Sequence, residues 1–223
     1  MRARRGRMIG WVVVLVYAAA LAVAAATTTD GELRPGDRPD DGAAAEALID
    51  SWERSRTATF VRTGTFERRS TVTDARISSE DVLAQRPPQR LRRQLGGVDG
   101  RDDRRAVVCP SAPVGDAPLP CSLGEPTGPS YADDVASEVA GLRSLVTGAS
   151  PLYAVATGDE PGCFDLVQLR VEPRAPFGRL ATFCFDPATG APSNSRVEYA
   201  GGIVEIVAVT TIEAEVTDAD LRP

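Results

Sequence analysis

The sequence predicts an α+β domain: a single curved antiparallel sheet with helices packed on its concave side, preceded by an N-terminal membrane helix. Three observations carry this. A basic start runs into an uncharged apolar stretch, Met8 to Ala26. Two later segments space their apolar residues as one face of a helix, and most of the others alternate or are rich in β-branched and aromatic residues. The order is helix, strands, helix, then strand after strand, which is an α+β order.

Arg2, Arg4, Arg5 and Arg7 before the apolar run form an export signature, since the basic end stays cytoplasmic. The run matches the roughly 20 residues of a bilayer-spanning helix and exceeds the roughly 7–15 residue core of a signal peptide. A retained signal-anchor is therefore expected ahead of a cleaved signal peptide, although Ala22-Val23-Ala24 and Ala24-Ala25-Ala26 are cleavable small-x-small patterns. No cysteine stands in or just after the run, so the acylated cysteine of a bacterial lipoprotein is missing. The reading is residues 1–26 as leader, 27–41 as a polar, Pro/Gly-interrupted linker and 42–223 as the domain. It lies on the extracytoplasmic side of the membrane, single-pass anchored, or is secreted if the leader is cut.

Gly42 to Arg54 is predicted helical, because Ala45, Leu48, Ile49 and Trp52 share a face. Thr57 to Arg68 alternates, with Ala58, Phe60, Gly64 and Phe66 on one side. Strands are expected within Ser70–Leu83 and over Leu91–Leu95. Asp99-Gly100 is expected to make a tight hairpin turn that Arg105–Cys109 follows as the return strand. Cys109 to Ser130 reads as a Pro/Gly-rich loop. Tyr131 to Thr147 is the clearest helix, with Val135, Val139, Leu142 and Val146 as its stripe and Asp133 and Asp134 in the first turn. Strands follow at Tyr153–Thr157, Cys163–Val171, Arg179–Asp186, Ser195–Tyr199 and Gly202–Val216. In the last, Val204, Ile206, Ala208, Ile212, Ala214 and Val216 are expected to share a face.

Composition removes several chemistries. The net charge is −6 despite the basic leader, which argues against a nucleic-acid partner. There is no histidine, so Ser-His-Asp and Cys-His catalysis and histidine-based zinc sites are gone. Every basic side chain is arginine, and with abundant Ala, Gly, Pro and Val this suggests a GC-rich, actinobacterial genome. The acidic pairs Asp102-Asp103, Asp133-Asp134 and Asp218/Asp220 lack calcium-loop spacing and read as solvated or capping acids. No catalytic residue, metal site or cofactor is expected, and no enzyme. Arg86, Arg90, Arg92 and Arg93 cluster around Pro87-Pro88. Two readings stand there: an anionic lipid head-group contact, or arginines facing solvent from a strand.

Four cysteines in an exported chain favour two disulfides. If Cys163–Val171 and Arg179–Asp186 form a hairpin, pairing Cys163 with Cys184 sets Phe164 opposite Phe183 and Leu166 opposite Ala181, apolar pairs that stabilise sheets. Cys109–Cys121 is then the other bond, closing the Pro-rich loop.

Several segments resemble LolA-like domains, the fold of periplasmic lipoprotein carriers. They are the helix before the strand TATFVRTGTFE, the segment Arg86-Pro87-Pro88-Gln89-Arg90-Leu91-Arg92 followed by Asp99-Gly100, and the run from Phe183 through Asp186-Pro187-Ala188-Thr189-Gly190 to Pro192. The tail Val216–Pro223 is similar too. The resemblance spans roughly Ala43 to Pro223. It implies an open half-barrel whose apolar cavity accepts acyl chains, as in actinobacterial lipoproteins similar to LppX and LprG. The alternative is a sensor or protein-interaction domain of the RseB/MucB kind acting on a membrane partner. Phe60, Phe66, Phe164, Val204, Ile206, Ala208 and Ile212, with Val139, Leu142 and Val146 on the helix, either line such a cavity or pack against one another. The expected ligand is a lipid or other hydrophobic group; the protein partner is open.

Overall fold

A computed structural model describes residues 42–109, 120–172 and 174–223. The leader and linker expected at 1–26 and 27–41 lie outside the described residues. Among those described, no helix is long and apolar enough to cross a membrane.

Helix α1 (Gly42–Thr57) buries Ala44, Ala45, Leu48 and Ile49, the stripe its spacing dictates, and ends with Arg54 and Arg56 where cations suit the helix dipole. Helix α2 (Tyr131–Thr147) starts at Ser130, whose hydroxyl accepts from the Asp133 N–H at 3.1 Å. It buries Tyr131, Val135, Leu142 and Val146.

Among the described residues eleven strands form one open antiparallel sheet. They are β1 (Phe60–Ser70), β2 (Arg76–Arg86), β3 (Gln89–Gln94), β4 (Gly97–Asp102), β5 (Arg105–Val108), β6 (Ser122–Leu123), β7 (Tyr153–Thr157), β8 (Cys163–Gln168), β9 (Leu180–Phe185), β10 (Pro192–Glu198) and β11 (Ile203–Glu213). The order is β6-β5-β4-β3-β2-β1-β11-β10-β9-β8-β7, so two meanders join where the first strand pairs with the last. Helix α2 spans from one half of the sheet to the other. Its first turn meets the β4 end, through an Arg101–Asp134 ion pair and a 3.0 Å hydrogen bond from the Tyr131 N–H to Asp103. Its body packs on β7. Those strands are eight places apart, about 38 Å in a flat sheet, whereas a helix of this length is about 25 Å long. The sheet therefore bends over the helices.

The main core fills the β7–β10 half. Leu48, Ile49, Leu142 and Val146 pack on Tyr153, Val155, Phe164, Leu166, Ala181 and Val197. Both disulfides are present, Cys109–Cys121 and Cys163–Cys184, and the register pairs Phe164 with Phe183 and Leu166 with Ala181 as the sequence predicts. Oxidised cysteines fit an extracytoplasmic compartment.

Two expectations are corrected. Asp99-Gly100 is not a turn: it sits inside β4, opposite Arg92 and Leu91. The turn before β4 is Leu95-Gly96, both at positive φ. Gly100 instead permits close approach, since a Cβ there would meet the Arg90 carbonyl oxygen at 2.5 Å and Leu91 Cδ1 at 2.8 Å. Gly100→Ala is expected to cost about 1–3 kcal/mol, as overpacking does, read as a lowered urea midpoint.

The second correction concerns β11. The register slips opposite Thr63/Gly64, where Thr211 and then Val209 are the partners, so Thr210 is an extra residue. Parity reverses there. Ile212 faces the helices together with Val209 and Val207, whereas Val204, Ile206 and Ala208 point to the other side of the sheet. Ala214 and Val216 lie beyond the strand.

Candidate ligand site

The inner face changes character along the sheet. Beside the apolar core, β1 to β3 present charged and amide side chains inward. In β1 the parity of Phe60 and Phe66 also places Arg62 inside. Its pairing partners carry that face to Leu83 and Asp81 on β2, and from there to Arg92 and Gln94 on β3. Asp81 is wholly buried; its Oδ2 lies 2.9 Å from Arg62 Nη2 as an ion pair, and its Oδ1 accepts from Arg92 Nε at 2.6 Å. Gln94 adds a hydrogen bond at 3.3 Å. Burial lowers the Arg62 pKa while Asp81 pulls it back up.

The C-terminal end of α1 is fixed over this face. Gln85, fully buried, donates through Nε2 to the Ser55 and Ala58 carbonyls, each at 2.8 Å. The Tyr131 hydroxyl donates to the Arg56 carbonyl at 2.7 Å. These bonds satisfy helix-end acceptors that would otherwise be orphaned, and they aim Arg56 inward. Gln85→Leu is expected to lose about 1–3 kcal/mol, the cost of unpaired buried acceptors, measured by chemical denaturation.

Between the helices and this face lies a cleft of about 260 Å³. Trp52 and Arg56 of α1, Glu138 of α2, Arg62, Leu83, Arg90 and Arg92 of β1–β3, Phe183 and Phe185 of β9 and Val207 of β11 wall it. A second cavity of about 490 Å³ adjoins it, sharing Arg56 and Arg90 and continuing past Arg101, Tyr131 and Val135. Small-molecule sites commonly hold about 300–1,000 Å³; the second cavity lies within that range and the cleft just below it. Trp52 forms the apolar floor, with ring centroids 5.6 Å from Phe177, 5.3 Å from Phe183 and 6.2 Å from Phe185. Its indole N–H donates to Glu138 Oε1 at 2.9 Å, and Glu138 Oε2 pairs with Arg56 at 2.5 Å.

Arg90 differs from its neighbours. Its side chain makes no hydrogen bond or ion pair with any described residue, and its buried Nε–H, like those of Arg56 and Arg62, has no acceptor. Burial, then repulsion from Arg56, lowers its pKa to about 10, so it stays charged at neutral pH. Burial raises the Tyr131 pKa. Among the described residues no three Cys, Asp or Glu side chains converge as a metal would require.

The ten residues proposed from sequence fall elsewhere. Leu142, Val146 and Phe164 belong to the main core, with Val139 packed against it. Phe60 forms a small cluster with Leu83 and Ala191, against which Ile212 packs. Phe66 is buried on the inner face, and Val204, Ile206 and Ala208 lie on the outer one. None of the ten walls the two cavities. The residues sequence reasoning missed are Trp52, Arg56 and Arg62. For Arg62 a signal existed: it is the one charge at an inward position between Phe60 and Phe66.

No family model matches the chain, and no curated protein matches it in sequence. Among solved structures, it is similar to MucB in complex with the periplasmic part of MucA, at 18% identity over 79% of this chain and 58% of that one, with a TM-score of 0.44. The Pseudomonas aeruginosa MucA/MucB complex gives 15% identity over 80% and 60%, with a TM-score of 0.42. A third is a LolA superfamily protein from Nitrosomonas europaea, at 7% identity over 81% and 98%, with a TM-score of 0.33. Its structural neighbours include LolA superfamily proteins. The chain spans about three fifths of the MucB chain. All three scores lie below 0.5, and the functional reading below rests on this chain's own residues.

Proposed function

We propose that this chain is an extracytoplasmic, membrane-tethered binding domain that holds an acyl chain or similar hydrophobic group between sheet and helices, as a carrier or tethered chaperone without covalent chemistry. The observation that supports it is the cleft itself. Trp52, Phe183 and Phe185 offer an apolar wall where α1 leaves the core, and the sheet bends over the helices instead of closing on them. An apolar chain placed there leaves water for aromatic surface, worth about 25 cal/mol per Å² buried. The linker's 15 residues reach about 50 Å when extended and about 20–25 Å as a coil, which suits uptake of a ligand from the same membrane.

The test uses the full chain in phosphatidylcholine nanodiscs and cis-parinaric acid as fluorescent probe. Emission is expected to rise saturably to one probe per chain above that of empty discs, and oleate to displace it. A signal no greater than empty discs overturns the reading.

A further inference from the structure

We propose that the arginine-lined end of this cleft is an anion site, which takes the phosphate or carboxylate head of an acyl amphiphile whose chain lies against Trp52. This deepens the acyl-binding reading above and rests on it.

The cluster Arg86, Arg90, Arg92 and Arg93 divides between the two faces of the sheet. The outer pair is already engaged. Arg86 binds Asp218 at 2.7 Å, and Arg93 donates to the Asp220 and Arg222 carbonyls at 3.2 and 2.5 Å, which lays the C-terminal tail over β2 and β3. The inner pair, Arg90 and Arg92, faces the cleft.

There the charges do not balance. Arg56, Arg62, Arg90 and Arg92 are met by two ion-paired carboxylates, Glu138 and Asp81, with Asp99 a third in the chamber that Arg56 and Arg90 also line. In a chain of net charge −6 this is a local cationic excess. Arg62 and Arg92 share Asp81, and Arg56 has Glu138, yet Arg90 has neither. The buried Nε–H groups of Arg56, Arg62 and Arg90 lack acceptors among the described residues. Leaving a buried guanidinium N–H without an acceptor is costly, and a planar guanidinium matches two oxygens of a phosphate or carboxylate. Both cavities share Arg56 and Arg90 as walls, so an oxyanion held there sits where the apolar cleft meets the larger chamber. That placement favours an amphiphile over a free ion. The groups bearing electrostatically on Arg90 are Arg56, Arg92, Tyr131 and Glu138.

The test is equilibrium dialysis of the full chain in phosphatidylcholine nanodiscs against radiolabelled decyl phosphate, decanol and inorganic phosphate, with empty discs subtracted. Decyl phosphate is expected to saturate at one per chain, at least tenfold tighter than decanol and than inorganic phosphate. Arg90→Gln is expected to lower its affinity to that of decanol while melting no lower than the parent chain, because the guanidinium removed makes no ion pair or side-chain hydrogen bond with any described residue. Arg90→Lys, which keeps the charge, is expected to recover part of the affinity and serves if the glutamine variant does not fold. Decanol binding as tightly as decyl phosphate overturns the anion site and leaves the acyl reading standing. Inorganic phosphate binding as tightly as decyl phosphate overturns the amphiphile. Absence of saturable binding for every probe overturns both.

Discussion

Asp81→Asn is expected to lose about 3–5 kcal/mol of stability, the usual cost of breaking a buried ion pair by removing one partner. Asp81 is wholly buried, and its two oxygens meet Arg62 Nη2 at 2.9 Å and Arg92 Nε at 2.6 Å. The amide keeps the volume but cancels the charge, leaving two guanidiniums facing each other, one of them, Arg62, itself buried. For a domain of this size, at about 2–4 °C per kcal/mol, the melting temperature falls by about 10 °C. The double variant Asp81→Leu with Arg62→Met is expected to be more stable than Asp81→Asn, because apolar residues of similar volume replace a buried pair at little cost. Circular dichroism melts of the three chains decide it. A loss under about 1 kcal/mol would mean that water reaches the pair and that the inner face of β1–β3 is open.

Trp52→Ala carries an effect of similar size for a different reason. Large aromatic-to-alanine changes in cores cost about 3–5 kcal/mol, and Trp52 touches three phenylalanine rings, Phe177, Phe183 and Phe185. The change also deprives Glu138 of its indole donor, which loosens the carboxylate paired with Arg56. Trp52→Phe separates the two contributions. It keeps most of the ring packing and loses the hydrogen bond, so a smaller loss of about 1 kcal/mol is expected. In the cis-parinaric acid titration both variants are expected to bind more weakly, alanine more than phenylalanine. If Trp52→Ala melts within about 1 kcal/mol of the parent, the aromatic floor is not part of the core.

Helix α2 was legible to the residue, because its apolar period and its acidic first turn agree and Ser130 caps it. The β8–β9 register was legible because two cysteines pin it and period-2 pairing then fixes every neighbour. The face of β11 was not. One extra residue at Thr210 reverses parity, and nothing in the run from Val204 to Ile212 marks the slip; it falls opposite Gly64, where a Cβ would lie 2.3 Å from the Ala208 carbonyl oxygen. The arginines of β3 escaped for another reason. Alternation identifies two faces but not which is inward, and here both are covered: the tail crosses the side carrying Ala84 and Leu91, which are buried, while Arg90 and Arg92 face the helices. Trp52 was read as a helix-face residue without its role, because Phe177, Phe183 and Phe185 come to it from over a hundred positions away.

The central claim is that the cleft between helices and sheet carries an acyl ligand. The most direct measurement is native mass spectrometry with lipid extraction on the full chain purified from a bacterial envelope in mild detergent. One acyl lipid per chain, surviving detergent exchange and enriched in acidic head groups over the bulk membrane, is the expected result. A bare chain mass, with extracted lipid that scales only with detergent carry-over, would contradict it.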